Sequence, residues 1–534
     1  MISRDEVFAS HNSRKIWQKF CGFFELDLKE FMDIQQELML EQIELVADSP
    51  LGRLKFNGKK PRSIEEYRQT VPLSDYWSGY AEYIGQEGKE EWLAEKPVVW
   101  AHTSGRGGQF KWIPWTRRAL EHYADVTMAI MILACAERRG EVLVWEGSRF
   151  LFILAPPPYI SGISAQALAD RFNIKVIPPP EISWTLSFQD RIALGFRMAL
   201  SQGVDFAGAV STALLKVGES LADRSGGMRF SAGMLKPAVL GRMLRAYLIS
   251  RREGRAMLPR DIWPVKGLAC GGTDTRIYRD QIKHYWGKYP HESYGMTETG
   301  VITIQSWTKK DMTFYPYLAF LEFIPEEEWL KNREDPTYQP RTILLDEVKV
   351  GETYEVVISN FYGMPLMRYR PGDMVTITAP GDDEIGCGIP QAQFYSRADW
   401  LIDLYSIVRL DELTLWQAID STGVPLEEWS ARKEYDGATP VLRLYVEPKD
   451  EANTRDMAEL VHQKLYEISP LYREAIEEME TNPVRVVTLK PGSFQRYYDR
   501  RLSEGADLAH LKPPHINASD AVINDLIRSQ GGPE

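Results

Sequence analysis

The sequence predicts an α/β protein: a mainly parallel sheet with helices over about the first 400 residues, followed by a smaller α+β unit. Three observations predict it. Between residues 141 and 240 short apolar runs alternate with helical segments, as they do where strands are joined by crossover helices. From 316 to 377 the character shifts to consecutive strands, YLAFLEFIP, RTILLDEV, ETYEVVISNF and DMVTITA. Beyond a Gly- and Pro-containing stretch at 381–390 the pattern restarts, which puts a boundary near Arg397–Leu401 and separates residues 1–397 from 398–534.

Taken in order, residues 12–48 place Phe31, Ile34, Leu38, Ile43 and Val46 at helical spacing. Pro97–Trp100 reads as a buried strand. Thr116 stands where an N-cap belongs, so Arg117–Arg139 reads as a long helix stopped by Gly140, with MAIMILACA buried nearly all round. EVLVWEG, FLFILA and NIKVIPPP read as strands, ALADRF as a helix, and residues 188–222 as largely helical. In the last unit VLRLYVE and VRVVTL read as strands. MAELVHQKLYEI and SFQRYYDRRL read as helices, with a loose tail from about 517.

Composition excludes several classes. With 44% hydrophobic and 26% charged residues, the 534-residue chain has ample core for a soluble globular protein. A net charge of −12 argues against a nucleic-acid partner. Cys21, Cys135, Cys270 and Cys387 stand far apart with no C-x-x-C pair, poor material for a zinc site or disulfide framework. The N-terminus lacks a signal-peptide core, and the longest apolar segment, Met128–Ala136, is about half the length needed to span a bilayer. The expectation is a cytoplasmic protein that neither spans nor rests on a membrane.

Five short stretches carry chemistry. Residues 101–116, AHTSGRGGQFKWIPWT, set Gly105, Gly107 and Gly108 beside Thr103, Ser104 and Arg106, with Lys111 behind. Glycines let backbone N–H groups turn around an anion while hydroxyls and lysine add donors and charge, so the stretch reads as a phosphate-holding loop or as a glycine-rich surface turn. GLACGGTD ends a strand in Gly271, Gly272 and Thr273, where a flat ring can approach the backbone or the chain simply leaves the sheet. SYGMTETG offers the Tyr294 ring, the Thr297 hydroxyl and the Glu298 carboxylate; the same residues also suit a core tyrosine and a helix start. One glutamate is enough for magnesium carried on nucleotide phosphates. MRYRPGD presents Asp373 at a tight turn, to a ribose diol or to its own hairpin. Lys512, before two prolines, is pushed to extended geometry, as solvated charge or as a residue that reaches into a site.

In this order, loop with lysine, Tyr-Gly-x-Thr-Glu, Tyr-Arg-x-Gly-Asp and a late lysine, the motifs resemble the adenylate-forming superfamily. Within it the chain most resembles the auxin-responsive family of acyl-acid amido synthetases, of the bacterial kind. SIEEYRQTVPLSDY, LLDEVKVGETYEVVISNFYG and PGSFQRYYDRRLSEGADLAHLKPPHI extend the resemblance over nearly the whole chain. The resemblance implies a large N-terminal α/β domain with parallel and barrel-like sheets, residues 1–397, and a small mobile α+β domain, 398–534. It implies that Thr103, Ser104, Gly105, Arg106, Gly107, Gly108 and Lys111 hold the phosphates of ATP. Gly271, Gly272 and Thr273 would lie along the adenine, with Tyr294 stacking on it beside Gly295. Thr297 and Glu298 would meet phosphates and Mg2+, Asp373 and Arg397 would bind the ribose, and Lys512 would enter during adenylation. The loop departs from its relatives at Arg106 and Gly107, where they carry Ser or Thr, and at Phe110.

The implied activity is a two-step ligase that joins a small-molecule carboxylic acid, through acyl-AMP, to an amine such as an amino acid. GMPLMRYRPGD and YGMTE are also similar to the phenylacetate–CoA ligase branch, in which coenzyme A is the acceptor. A nucleotide-binding protein that has lost the chemistry is the third reading.

Overall fold

The computed structural model describes all residues except 1, 86–88, 103–110, 154, 187, 225–235, 272–274, 336, 398–401, 405–407, 437–438, 450–453, 480, 504–514, 519 and 529–534. The chain divides into two compact units, Met1–Tyr395 and Ser396–Glu534.

In the large unit an antiparallel ribbon, β1 (Val99–His102) and β2 (Trp112–Trp115), pairs Val99 with Trp115 and His102 with Trp112, so both ends of the glycine-rich stretch are held together. β3 (Arg149–Ile153), β4 (Lys175–Ile177), β5 (Phe206–Val210), β6 (Gly267–Gly271) and β7 (Pro290–Met296) pair in parallel. β8 (Gly300–Gln305), β9 (Met312–Phe314), β10 (Ala319–Pro325), β11 (Thr353–Asn360), β12 (Asp373–Ala379) and β13 (Gln391–Arg397) continue the same sheet. Among the described residues its order is β10-β11-β12-β13-β9-β8-β7-β6-β5-β3-β4. The parallel half has crossover helices; beyond β7 the pairings among the described residues are antiparallel.

The long helix begins where the sequence places it. The Thr116 hydroxyl oxygen accepts from Ala119 N and donates to the Tyr362 carbonyl at 2.7 Å. It ends at Cys135, four residues before the expected Arg139, with Ala136 already extended. The Lys309 ammonium takes the Ala136 carbonyl at 3.0 Å, and Gly140 turns the chain at φ +81°. Burial of Ala124, Val126, Met128, Ala129, Ile132 and Leu133 matches its apolar composition. Gly267 lets β6 lie against this helix, since a Cβ there would sit 2.6 Å from the Ala134 carbonyl.

Three expectations are corrected, and one, the largely helical span 188–222, holds with an added strand. EVLVWEG forms no strand, because Trp145 N goes to Ser148 Oγ and Gly147 N to the Asn173 carbonyl. RTILLDEV makes one bridge, Phe323 to Ile343, and then a 3-10 turn, Leu345–Glu347, whose start is held by the Glu347 carboxylate on Leu344 N. The span 188–222 contains β5, a short buried run that periodicity alone cannot separate from helix. The tail holds a helix, Asp520–Arg528, that buries Ile523 and Leu526 against Phe494 and Tyr445.

The small unit contains a hairpin, β14 (Ile402–Leu404) with β15 (Val408–Leu410), and the sheet β16 (Leu426–Asp436), β17 (Thr439–Pro448) and β18 (Val484–Thr488). Helices Glu412–Asp420, Met457–Ile468 and Pro470–Met479 supply Leu415, Val461, Leu465 and Tyr472 to its core. No helix among the described residues is long and apolar enough to cross a membrane. The four cysteines are free and buried.

Candidate active site

In open α/β sheets ligands bind beyond the carboxyl ends of the parallel strands. Here β6 ends at Gly271, while β7 runs into the turn Thr297–Thr299 and returns as β8. The hairpin requires Gly295, where a Cβ would lie 2.3 Å from the Gly300 carbonyl oxygen and where the register shifts. Thr297 and Glu298 therefore sit on a hairpin turn and not at a helix start. Two side chains from distant segments pin that turn: Trp115 Nε1 donates to the Thr297 carbonyl at 3.2 Å and Asn360 Nδ2 to the Glu298 carbonyl at 2.9 Å.

The turn points the Glu298 carboxylate at Lys111. Lys111 Nζ lies 3.4 Å from Glu298 Oε1 and donates to the Tyr369 hydroxyl at 2.9 Å; that hydroxyl donates to the same Oε1 at 3.0 Å. Glu298 is 5% exposed, and the Lys111 ammonium also faces the rings of Tyr76 and Tyr369, 6.0 and 5.6 Å from their centroids. Tyr76 is anchored by its hydroxyl, which accepts from Trp112 N at 2.9 Å; burial, with the nearby Glu298 charge, holds its pKa above the ordinary value.

MRYRPGD divides its side chains between different partners, with Arg368 in the left-handed region at φ +45°. Arg368 is committed to Glu322, with Nε and Nη2 each 3.0 Å from a carboxylate oxygen, and Arg370 binds Glu355 through two bonds of 3.0 and 2.7 Å. Tyr369, between them, faces Lys111. Asp373 opens β12, is 8% exposed, and accepts from the Tyr294 hydroxyl at 2.9 Å. The Tyr294 ring lies 5.3 Å from that of Phe394.

The structure thus brings Lys111 and Glu298 together, and separately Tyr294 and Asp373. Thr103, Ser104, Gly105, Arg106, Gly107, Gly108, Gly272, Thr273 and Lys512 lie outside the described residues. Of Arg397 only the backbone, at the end of β13, is described. Sequence reasoning missed Tyr369, Tyr76, Trp115 and Asn360. Tyr369 lay inside a motif already singled out, whereas the other three carry no local signal. Among the described residues no group of three or more His, Cys, Asp or Glu could cage a metal ion. Glu298 is a hard oxygen donor beside a single lysine, a donor set that fits Mg2+ carried by phosphates, which needs one or two carboxylates.

The fold is similar to those of solved acyl-activating ligases. The chain superposes on an acyl acid amido synthetase in complex with 2,4-DB at a TM-score of 0.68, with 18% identity, covering 96% of each chain. It superposes on 2-hydroxyisobutyryl-CoA ligase in the postadenylation state at 0.60, with 14% identity, covering 94% of this chain and 92% of that one. Models of the GH3 family match three stretches: the N-terminal domain at 21–153, the central domain at 312–396 and the C-terminal domain at 413–521. The chain belongs to the GH3 family. Indole-3-acetic acid-amido synthetase GH3.10 of Arabidopsis thaliana is 23% identical over 95% of this chain and 96% of its own length. Its paralogue GH3.3, also an indole-3-acetic acid-amido synthetase, is 27% identical, but over 41% of this chain and 36% of its own length.

Proposed function

We propose that the protein activates a carboxylic acid with ATP and transfers the acyl group to an amine, an amino acid, to form an amide. In the first step a carboxylate oxygen bonds to the α-phosphorus as the bond to the β-phosphate oxygen breaks, giving acyl-AMP and pyrophosphate. In the second the amine nitrogen bonds to the acyl carbon, AMP leaves with the C–O electron pair, and the nitrogen loses a proton.

The observation that carries this reading is the Lys111–Tyr369–Glu298 cluster, assembled from three separate motifs beyond the parallel strands. A displacement at phosphorus asks a protein mainly for position and charge. Lys111, held between two tyrosine rings, can exchange its contact with Glu298 for a phosphate oxygen. The Glu298 carboxylate would hold Mg2+, which when bound neutralises phosphate charge. The Thr297 hydroxyl would add a donor, and the Asp373 carboxylate would accept from ribose hydroxyls while Tyr294 fixes its orientation. The loop residues Thr103–Gly108 would enclose the phosphates, and Lys512 would supply a second cation when the small unit, 398–534, closes on the large one. Four free, buried cysteines suit a cytoplasmic setting.

Acid-dependent exchange of pyrophosphate into ATP tests the first step, and mass spectrometry of products made with mixed amino acids or with CoA tests the second. No exchange across a broad acid panel sinks the reading. A thioester instead of an amide would select the second reading, an acyl-CoA ligase, which the likeness to a CoA ligase fold keeps in contention.

A further inference from the structure

Arg368 directly precedes Tyr369 and is the joint on which that tyrosine turns. Its φ of +45° is left-handed, a conformation that a long side chain adopts only where its surroundings impose it. Its side chain is buried and fully committed. An arginine carries five N–H donors, and each has an acceptor here. Nε and Nη2 donate to the two Glu322 oxygens, and Nη2 also to Thr342 Oγ1, all at 3.0 Å. Nη1 donates to the Arg68 carbonyl and, at 2.9 Å, to the Val71 carbonyl.

The acceptors are themselves fixed. Glu322 lies on β10 and also accepts from the Thr342 hydroxyl at 2.6 Å and from Arg68 Nε at 3.1 Å. Arg68 belongs to the helix Ile64–Thr70 and donates to the Thr342 carbonyl at 2.7 Å. The Arg368 amide donates to Ser359 Oγ at 2.9 Å, and that oxygen is 2.8 Å from the Tyr67 hydroxyl. No donor of Arg368 is left for a ligand, so its role must pass through the backbone it holds.

The next residue is the sensitive one. The Tyr369 hydroxyl accepts from Lys111 at 2.9 Å and donates to Glu298 at 3.0 Å, so its position is defined from two sides. A rotation at the joint would swing this hydroxyl away from both.

We propose that Arg368, locked by Glu322, Thr342 and the carbonyls of Arg68 and Val71, is a positioning residue that aims the Tyr369 hydroxyl at Lys111 and Glu298; this rests on the reading of that cluster as the phosphate site. The guanidinium imposes the left-handed turn, and the turn sets where the phenol stands.

Nucleotide binding and acid-dependent exchange together test the role. Arg368→Lys keeps the charge but loses the planar set of donors. It should weaken binding of α,β-methylene-ATP, read by calorimetry, about tenfold. It should raise the KM for ATP in exchange by a similar factor and leave the KM for the carboxylic acid unchanged. Tyr369→Phe should weaken analogue binding comparably, and adding Arg368→Lys to it should cost less than about twofold more. Thr342→Val should give a smaller version of the same loss, and Thr342→Ser, which keeps the hydroxyl, should restore it. Should Arg368→Lys fail to fold, the Thr342 pair carries the test, and wild-type binding by Thr342→Val then overturns the inference. A folded Arg368→Lys that binds the analogue like the wild type, while Tyr369→Phe does not, overturns the inference alone. Additive losses in the double variant, or an equal rise in both KM values, also overturn it. Wild-type binding and exchange by Tyr369→Phe remove the role of the cluster and this inference with it.

Discussion

In the large unit His291 is wholly buried on β7, with Nε2 2.7 Å from the Gln305 carbonyl and Nδ1 without a hydrogen-bond partner among the described residues. In the small unit His515 carries a carboxylate on each ring nitrogen. Burial lowers the first to about 3, whereas in the second the two carboxylates overcome burial and raise it to about 10. One is a neutral ring that fills a core; the other is a fixed cation. The difference teaches that burial by itself does not decide a charge in this protein; the carboxylates facing it do.

The largest expected effect removes the carboxylate at the site. Glu298→Ala should reduce acid-dependent exchange about 10²–10³-fold with the fold retained, and unchanged exchange in this variant would refute its role. Next come the two histidines, with effects of opposite sign that approach about 5 kcal/mol at full titration. His515 has a folded pKa above its unfolded value, so its stabilisation is complete below about pH 6.5. It is lost as pH rises towards about 10. Hydrogen-exchange protection at the Ala431 and Asn517 amides should fall across that window in the wild type and not in His515→Gln. His291 has a folded pKa below its unfolded value; its burial carries no charge penalty above about pH 6.5 and a growing one as pH falls towards about 3. Protection at the Glu292 amide, bonded to Gln305 Oε1 at 2.8 Å, should fall on that acid side. Slopes of the same sign at both places would break the comparison.

The smallest effect belongs to Lys55, which is 8% exposed, lies 4.0 Å over the Tyr80 ring, and is lowered by burial to about 8. Its charge costs stability at pH 7, and the cost is relieved as pH rises from about 8 towards the ordinary lysine value of about 10.4. Lys55→Met should therefore raise stability at pH 7 by about 1–2 kcal/mol, read as a higher urea midpoint. A lower midpoint would mean that Lys55 has a stabilising partner.

Much of the fold was legible locally. Thr116 capped its helix as expected because a hydroxyl before an apolar periodic run has one good use. The failures share a cause: EVLVWEG has strand composition, but its backbone groups are taken by Ser148 and Asn173, which no window over 141–147 reveals. Of the site, Lys111, Glu298 and Asp373 were legible as chemistry in small motifs, while Trp115 and Asn360 were not, because they act through single hydrogen bonds to a turn 182 and 62 residues away.

By itself the sequence determined the motif order, the alternation of strand and helix, and the family resemblance, since each resides in neighbouring residues and their spacing. Only the tertiary structure decided which charge meets which. It gave Arg368 and Arg370 to Glu322 and Glu355, left Tyr369 between them for Lys111 and Glu298, and set His515 between two carboxylates. The physical reason is range: propensity acts over a few residues, whereas an ion pair forms wherever packing brings its partners within 4 Å, and here those partners lie 15 to 187 residues apart.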